Sequence, residues 1–134
     1  MGKKIFVICP VRNVSKKVRN KIDGYVYYME SNGYEVYWPD QDNPYQNTDR
    51  VGFLICDYNR ERMLEADEVH IWYDKNSIGF VFDLGMFFII LRLQRPKKFV
   101  IINTADVKPT PHKSFENVLI DLSQRLNQYF QKDI

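Results

Sequence analysis

No run in this chain is long and apolar enough to cross a bilayer, because even the stretch from Gly79 to Leu93 carries Asp83 and Arg92. A membrane role is therefore not expected. Cysteine is scarce: Cys9 and Cys56 are the only two, they form no Cys-x-x-Cys pair, and with His70 and His112 they make no zinc-like spacing. No metal site is expected, and both thiols are expected to be buried and reduced, as in a cytoplasmic protein. About six apolar residues separate Lys4 from Arg12, too few for a signal peptide. Charge of one sign is missing as well. Nineteen basic against seventeen acidic side chains leave a net charge of +2, which gives no electrostatic case for a nucleic-acid partner. Two phosphate signatures are absent, Gly-x-Gly-x-x-Gly after the first strand and the P-loop Gly-Lys-Ser/Thr, and this weighs against dinucleotide enzymes and NTP hydrolases. A flavin would need a Ser/Thr-rich loop after that strand, and none is there.

What is present is enough for one domain over residues 1–134: 45% of the residues are hydrophobic and 15% aromatic, sufficient for a core without disulfides. Ile5 to Cys9 is nearly continuously apolar and ends at Pro10, which predicts a central parallel strand. Val14 to Asn32 reads as a helix with Val18, Ile22, Tyr25, Val26 and Met29 on its inner face, closed by Gly33. Tyr34 to Trp38 is a second strand, and Asp40 to Asp57 a long connection of the kind that binds or covers a ligand. A short helix is expected over Asn59 to Ala66 and a strand over Glu68 to Tyr73. A helix follows over Gly79 to Leu93, then a strand over Phe99 to Ile102. The last helix is expected over Ser114 to Gln131, with Phe115, Val118, Leu119, Leu122, Leu126 and Phe130 inward. Alternation of strand and helix predicts an open parallel sheet with helices on both faces. The helix from Gly79 is apolar nearly all round, which points to burial on more than one side. Either a second subunit or the Asp40 to Asp57 segment would cover it.

Ser77-Ile78-Gly79 opens that helix just after a strand, where free backbone N–H groups hold anions at a sheet's carboxyl edge. Asp83 follows six residues after Ser77 and can face the same crevice. The plain alternative is Ser77 as an N-cap with Asp83 solvated. Arg12 and Asn13 after the first strand and Asn103 after the fourth reach the same edge, and Arg12 can hold a phosphate by its guanidinium fork. Arg12 could equally be a surface cation, and Asn103 a turn cap. Asp67 precedes a strand and suits the holding of backbone N–H groups. His70 is expected to pack within its strand, His112 to be exposed, and Trp72 to pack in the core.

Ile5-Phe6-Val7-Ile8-Cys9-Pro10-Val11-Arg12, Leu64-Glu65-Ala66-Asp67-Glu68-Val69 and Ser77-x-Gly79-x-x-x-Asp83-Leu84-Gly85 together resemble the nucleoside 2-deoxyribosyltransferases and the related 2'-deoxynucleoside 5'-phosphate N-hydrolases. The resemblance implies a flavodoxin-like α/β fold, a three-layer αβα sandwich on a parallel sheet of four to five strands. It also implies a small nucleoside or nucleotide as ligand; no cofactor is expected, and the apolar helix from Gly79 points to a homodimer or higher homo-oligomer. Asp83 would be the nucleophile on the anomeric carbon, as in a retaining glycosidase. Arg12, Asn13, Asp67, Ser77, Gly79 and Asn103 would bind the substrate, with Arg12 and Ser77 on a 5'-phosphate. The chain departs from the family at three places. Asp83 replaces the usual Glu and is about 1.5 Å shorter in reach. Asn59 stands where relatives carry an Asp that engages the base, with Asp57 as the possible substitute, and Phe6 stands where many carry Tyr. The activities that compete are N-glycosidic cleavage or base exchange, a non-catalytic nucleotide-binding module, and an interaction domain without a small ligand.

Overall fold

The computed structural model describes residues 2–131. Strand β1 (Lys4–Ile8) leads to helix α1 (Lys16–Ser31), strand β2 (Glu35–Tyr37), a short helix α2 (Pro39–Asp42) and helix α3 (Phe53–Glu65). Strand β3 (Glu68–Ile71), helix α4 (Ile78–Leu93), strand β4 (Lys98–Ile101), a 3-10 turn (Thr104–Asp106) and helix α5 (Phe115–Gln131) complete it. The sheet has four strands in the order β2-β1-β3-β4, all parallel, with Phe6 beside Tyr37 on one side and Val69 on the other. This is the open parallel sheet that the alternating pattern predicts, and the α/β flavodoxin-like architecture that the resemblance implies.

Residues with matching register share a sheet face, and the two faces are covered unequally. Phe6, Ile8, Val69, Ile71 and Phe99 pack with Met63 of α3, Phe80, Phe87 and Ile90 of α4, and Leu119 and Leu126 of α5. Ile5, Val7, Cys9 and Val36 pack with Ile22 and Val26 of α1 and with Trp38 beyond β2. Helix α1 is also pinned by polar contact: the Tyr25 hydroxyl lies 2.6 Å from His70 Nδ1, and His70 Nε2 lies 2.9 Å from Glu68 Oε1. Both His70 and Glu68 are buried, as expected for an imidazole inside a strand. Burial, the largest single influence, pushes Glu68 up, but the His70 hydrogen bond and the charges of His70, Lys98 and Lys3 together outweigh it and hold the carboxylate below its usual range. His112 is exposed, while Trp72 is half-buried at the end of β3.

The helix ends follow the sequence closely in α1, where Ser15 caps Val18 N–H at 3.2 Å and Gly33 takes φ +91°, the left-handed turn that closes the helix. Helix α3 begins six residues before the expected Asn59. Its start is built by Asp49, whose Oδ2 accepts Leu54 N–H at 2.7 Å and Ile55 N–H at 3.2 Å while Oδ1 accepts Val51 N–H at 3.1 Å. Desolvation is the largest single influence on this carboxylate and acts to raise its pKa, but the backbone N–H groups of Gly52, Ile55, Val51 and Leu54 together outweigh it and hold it below its usual range. Stability from Asp49 is then present at neutral pH and lost as pH falls through its lowered pKa. Asp49→Ala is expected to lower the urea midpoint at pH 7, with the difference from wild type closing below about pH 4.

Two packing expectations are corrected. Phe115 and Val118 of α5 are exposed, because Leu119 and Leu126 turn to the core and leave those two on the outer side. Helix α4 buries only Phe80, Phe87 and Ile90; the segment before α3 does not cover the rest, and Val51, Phe53 and Leu54 of that region are themselves exposed.

Candidate active site at the sheet switch point

From β1 the chain crosses outward to β2 and then returns past β1 to β3, so the carboxyl ends of β1 and β3 part and leave a crevice. β1 delivers Cys9 and Pro10, both buried, then Arg12 and Asn13, both exposed. Asn13 has φ +56°, a left-handed turn that Asn tolerates better than most residues and that redirects the chain into α1. β3 delivers Tyr73 and a turn in which Asp74 Oδ1 accepts Asn76 N–H at 2.9 Å, and α4 starts at once.

Asp83 is half-buried, one and a half turns into α4, on the flank toward α3 and β1. Among the described residues it has no hydrogen-bond or ion-pair partner. Burial alone pushes its carboxyl up to about 7. Two thiols bracket it. Burial pushes Cys9 up to about 12, Trp38 works against this, and the carboxylates of Asp40 and Asp83 add to it. Burial, then Asp83 and Asp49, raise Cys56. Neither thiol is a nucleophile at neutral pH, so the chemistry of the crevice falls to the carboxyl group.

A raised carboxyl pKa favours the folded state while the group is protonated, and that stability is lost as pH rises through about 7. Asp83→Asn keeps the shape without the charge. It is expected to leave stability unchanged near pH 4 and to raise it above pH 7, by on the order of 2 kcal/mol once solvent at the exposed edge is allowed for, read as a higher thermal midpoint.

The other expected site residues divide. Ser77 Oγ accepts Phe80 N–H at 3.2 Å and caps α4, so the plain reading of that hydroxyl holds. Gly79 is exposed, with nothing near the place a Cβ would take. Arg12 makes no hydrogen bond or ion pair among the described residues. Ser77 and Gly79 follow β3 and Arg12 follows β1, so these three lie beyond the carboxyl ends of the two neighbouring central strands, where α4 with Asp83 begins. Asn103 reaches this edge too, but Oδ1 accepts Tyr73 N–H at 2.7 Å, and Nδ2 donates to Tyr73 O at 2.9 Å and to Asp106 at 3.0 Å. Its side chain clamps the end of β3 rather than facing a ligand. Asp67 sits at the opposite edge of the sheet, accepting Lys4 N–H at 2.8 Å and pairing with Arg95 at 3.1 Å. Both bonds, led by the one from Lys4, hold its carboxyl below the usual range.

Asn59 is buried, and its Oδ1 accepts from the Tyr37 hydroxyl at 2.7 Å and from Asn43 Nδ2 at 2.9 Å. This commits the carbonyl of the expected base-engaging residue to holding β2, the long connection and α3 together. Asp57 pairs with Arg60 and lines a groove of about 130 Å³ between α3 and α4, with Phe53, Cys56, Phe82 and Met86. A larger cavity of about 240 Å³ lies between β2 and the C-terminal half of α3. It borders Lys4 and Glu65 at the amino edge, away from Asp83, and its charged groups are largely paired with one another.

Sequence reading missed one cluster. Asp40, just after β2, pairs with Arg19 of α1 at 2.7 Å, and that guanidinium lies 5.8 Å from the centre of the Trp38 ring. Pro39 signalled the turn that places Asp40, but no local pattern links residues 19 and 40. Among the described residues no group of three or more His, Cys, Asp or Glu could hold a metal ion, and no helix is long and apolar enough to cross a membrane.

No protein-family model matches the chain, and no curated protein matches it in sequence. Solved structures do. A 2-deoxyribosyltransferase from Bacillus psychrosaccharolyticus superimposes with a TM-score of 0.56 at 15% identity, covering 87% of this chain and 90% of that one. A CMP N-glycosidase from Clostridium botulinum, BcmB, gives 0.53 at 17% identity, covering 97% and 96%. At such identities the likeness establishes the fold, which is that of the nucleoside 2-deoxyribosyltransferases.

Proposed function

We propose that this chain cleaves or exchanges the N-glycosidic bond of a deoxynucleoside or its 5'-monophosphate, with Asp83 as nucleophile. The observation that carries the reading is a single half-buried carboxyl, without a partner among the described residues, at the switch point of a fold shared with a deoxyribosyltransferase and a CMP N-glycosidase. Asp83 attacks the anomeric carbon and the base leaves with the bond's electron pair and takes up a proton. Water or a second base then displaces Asp83 from the sugar, as in retaining glycosidases. Arg12 and the backbone N–H groups at Ser77 to Gly79 take the 5'-phosphate. The chain acts as a homo-oligomer in this reading, since a single copy leaves one apolar face of α4 uncovered.

A second reading, a nucleotide-binding module without chemistry, is favoured by Asn59, whose carbonyl is taken up by Tyr37 and Asn43. One experiment separates the two. Purified protein is incubated with a panel of deoxynucleosides and their monophosphates, and free base is followed by chromatography beside Asp83→Ala. Base release lost in the variant supports the nucleophile; a nucleotide that raises the melting temperature without base release supports the module.

A further inference from the structure

Parallel strands are ordinarily covered by helices on both faces, and β4 is covered on one. Helices α3, α4 and α5 pack on the face of Phe99, while α1 is the long helix of the other face, where Ile5, Val7 and Val36 of β1 and β2 lie. A helix about 10 Å across spans about two strands set ~4.8 Å apart. Beside α1 this leaves a strip as wide as a second helix, floored by β3 and β4. Lys98 stands beside Glu68 there and Val100 beside His70, and Trp72 and Ile102 continue the two rows. Trp72, Val100 and Ile102 are half-buried, and neither core takes in Val100. Two polar contacts fix how α1 is turned: Tyr25 reaches His70 of β3, and Arg19 reaches Asp40 beyond β2. Helical spacing then sets Lys17, Lys21 and Tyr28 on the Tyr25 side, and Asp23 and Glu30 on the Arg19 side. Lys17, Lys21 and Lys98 are exposed and make no ion pair among the described residues, and Tyr28 is 63% exposed. Glu68 on the floor is buried and bonded to His70. The strip is thus apolar along its middle and positive on both sides.

We propose that this strip is a docking groove for an amphipathic helix of a partner protein, one with apolar residues on its inner face and acidic residues on its flanks. The inner face covers Trp72, Val100 and Ile102, in the way an amphipathic helix fills an apolar groove. The flanking carboxylates meet Lys17 and Lys21 on one side and Lys98 on the other. A second copy is a poor occupant, because two-fold pairing through this strip sets the same lysines against each other. A nucleic-acid strand fits less well: Val100 and Ile102 offer its bases no ring to stack on, and the Tyr25 hydroxyl is tied to His70. The groove lies on the opposite face of the sheet from α4, which carries Asp83, so docking there stands apart from the glycosidic reading.

Trp72 reports on the groove. Trp38 is 3% exposed and already shielded, so a change in tryptophan emission on binding comes from Trp72. The probe is a helical peptide of about 18 residues with leucine at i, i+3, i+4 and i+7 and glutamate on both flanks. Its controls are the same peptide with lysine in place of glutamate, and an oligothymidylate. The glutamate peptide should move the emission saturably to shorter wavelength, and the lysine peptide should not. Lys21→Glu combined with Lys98→Gln changes exposed side chains only and should weaken the glutamate peptide by on the order of tenfold. Val100→Asp, on the floor, should weaken it at least as much. No shift with the glutamate peptide, equal binding of the two peptides, or a lysine variant that binds like wild type overturns the proposal. A shift given by the oligothymidylate alone assigns the groove to nucleic acid, and one that grows with protein concentration without peptide assigns it to a second copy; either overturns it too. None of these readouts involves base release, so failure of the glycosidic reading leaves the proposal intact.

Discussion

Asp83→Glu is expected to raise the rate of base release by on the order of ten- to a hundredfold, while Asp83→Ala lowers it by on the order of 10³-fold or more. The chain holds a carboxyl where the family it resembles normally holds one a methylene longer, and a misplacement of ~1 Å at a reacting atom costs about that factor. On the proposed mechanism, lengthening the side chain restores reach and removing the carboxyl removes the covalent step. The pH profile gives an independent check. A nucleophile must be ionised, and burial pushes Asp83 up to about 7, so wild-type turnover rises with pH through that value and levels off above it. Single-turnover release of free base between pH 5 and 9 measures all three. If Glu behaves like Ala, Asp83 is not short of reach; if Ala turns over like wild type, or the rate falls through pH 7 as the carboxyl ionises, Asp83 is not the nucleophile.

The largest expected loss of stability lies at Asn103. Its amide exchanges two hydrogen bonds with the backbone of Tyr73, at 2.7 and 2.9 Å, and the side chain is buried. Asn103→Ala strips a donor and an acceptor from their partners in a place water reaches poorly, at a cost of about 3 kcal/mol. For a chain of this size that is a fall of roughly 10 °C in thermal midpoint. Asn103→Asp keeps the acceptor for Tyr73 N–H, loses the donor, and turns a second negative charge on Asp106, 3.0 Å from the present Nδ2. It should therefore be destabilising at pH 7 and recover in part near pH 4. A midpoint that barely moves in Asn103→Ala, with nucleotide binding lost, would return Asn103 to the substrate.

The parallel sheet was readable because β1 is a short apolar run and Val69, Ile71, Trp72 and Tyr73 mark β3 despite Glu68 and His70, and α1 because its inner face, Ser15 and Gly33 all agree. The start of α3 was not. Its cap comes from Asp49, and Gly52 at φ +95° stands between that carboxylate and the first turn, so no Ser-x-x-Glu signal precedes the helix. In the candidate site, Ser77 and Asp83 were legible because one helix start fixes both. Asn103, Asn59 and Asp67 were chosen by residue type and strand position, and what decides their work is a partner far along the chain: Tyr73 thirty residues away, Tyr37 twenty-two, Lys4 sixty-three. Spacing along a sequence carries no record of such partners. The same holds for Arg19 and Asp40.

The two edges of the sheet are finished in opposite ways. At the amino edge Asp67 holds Lys4 N–H and Arg95, and the fully buried Lys97 gives its ammonium to the carbonyls of Leu64 and Ala66 at 3.1 and 2.5 Å. At the carboxyl edge Arg12, Asn13 and Gly79 are exposed, and among the described residues the side chains of Arg12 and Asn13 make no hydrogen bond or ion pair. A designer can accordingly treat the molecule as a chassis with one permanent side and one exchangeable side. Libraries randomised at residues 11–14 and 78–79 would sample new ligands on an intact scaffold, whereas the same diversity spent at residues 64–67 and 95–97 would yield mostly chains that do not fold.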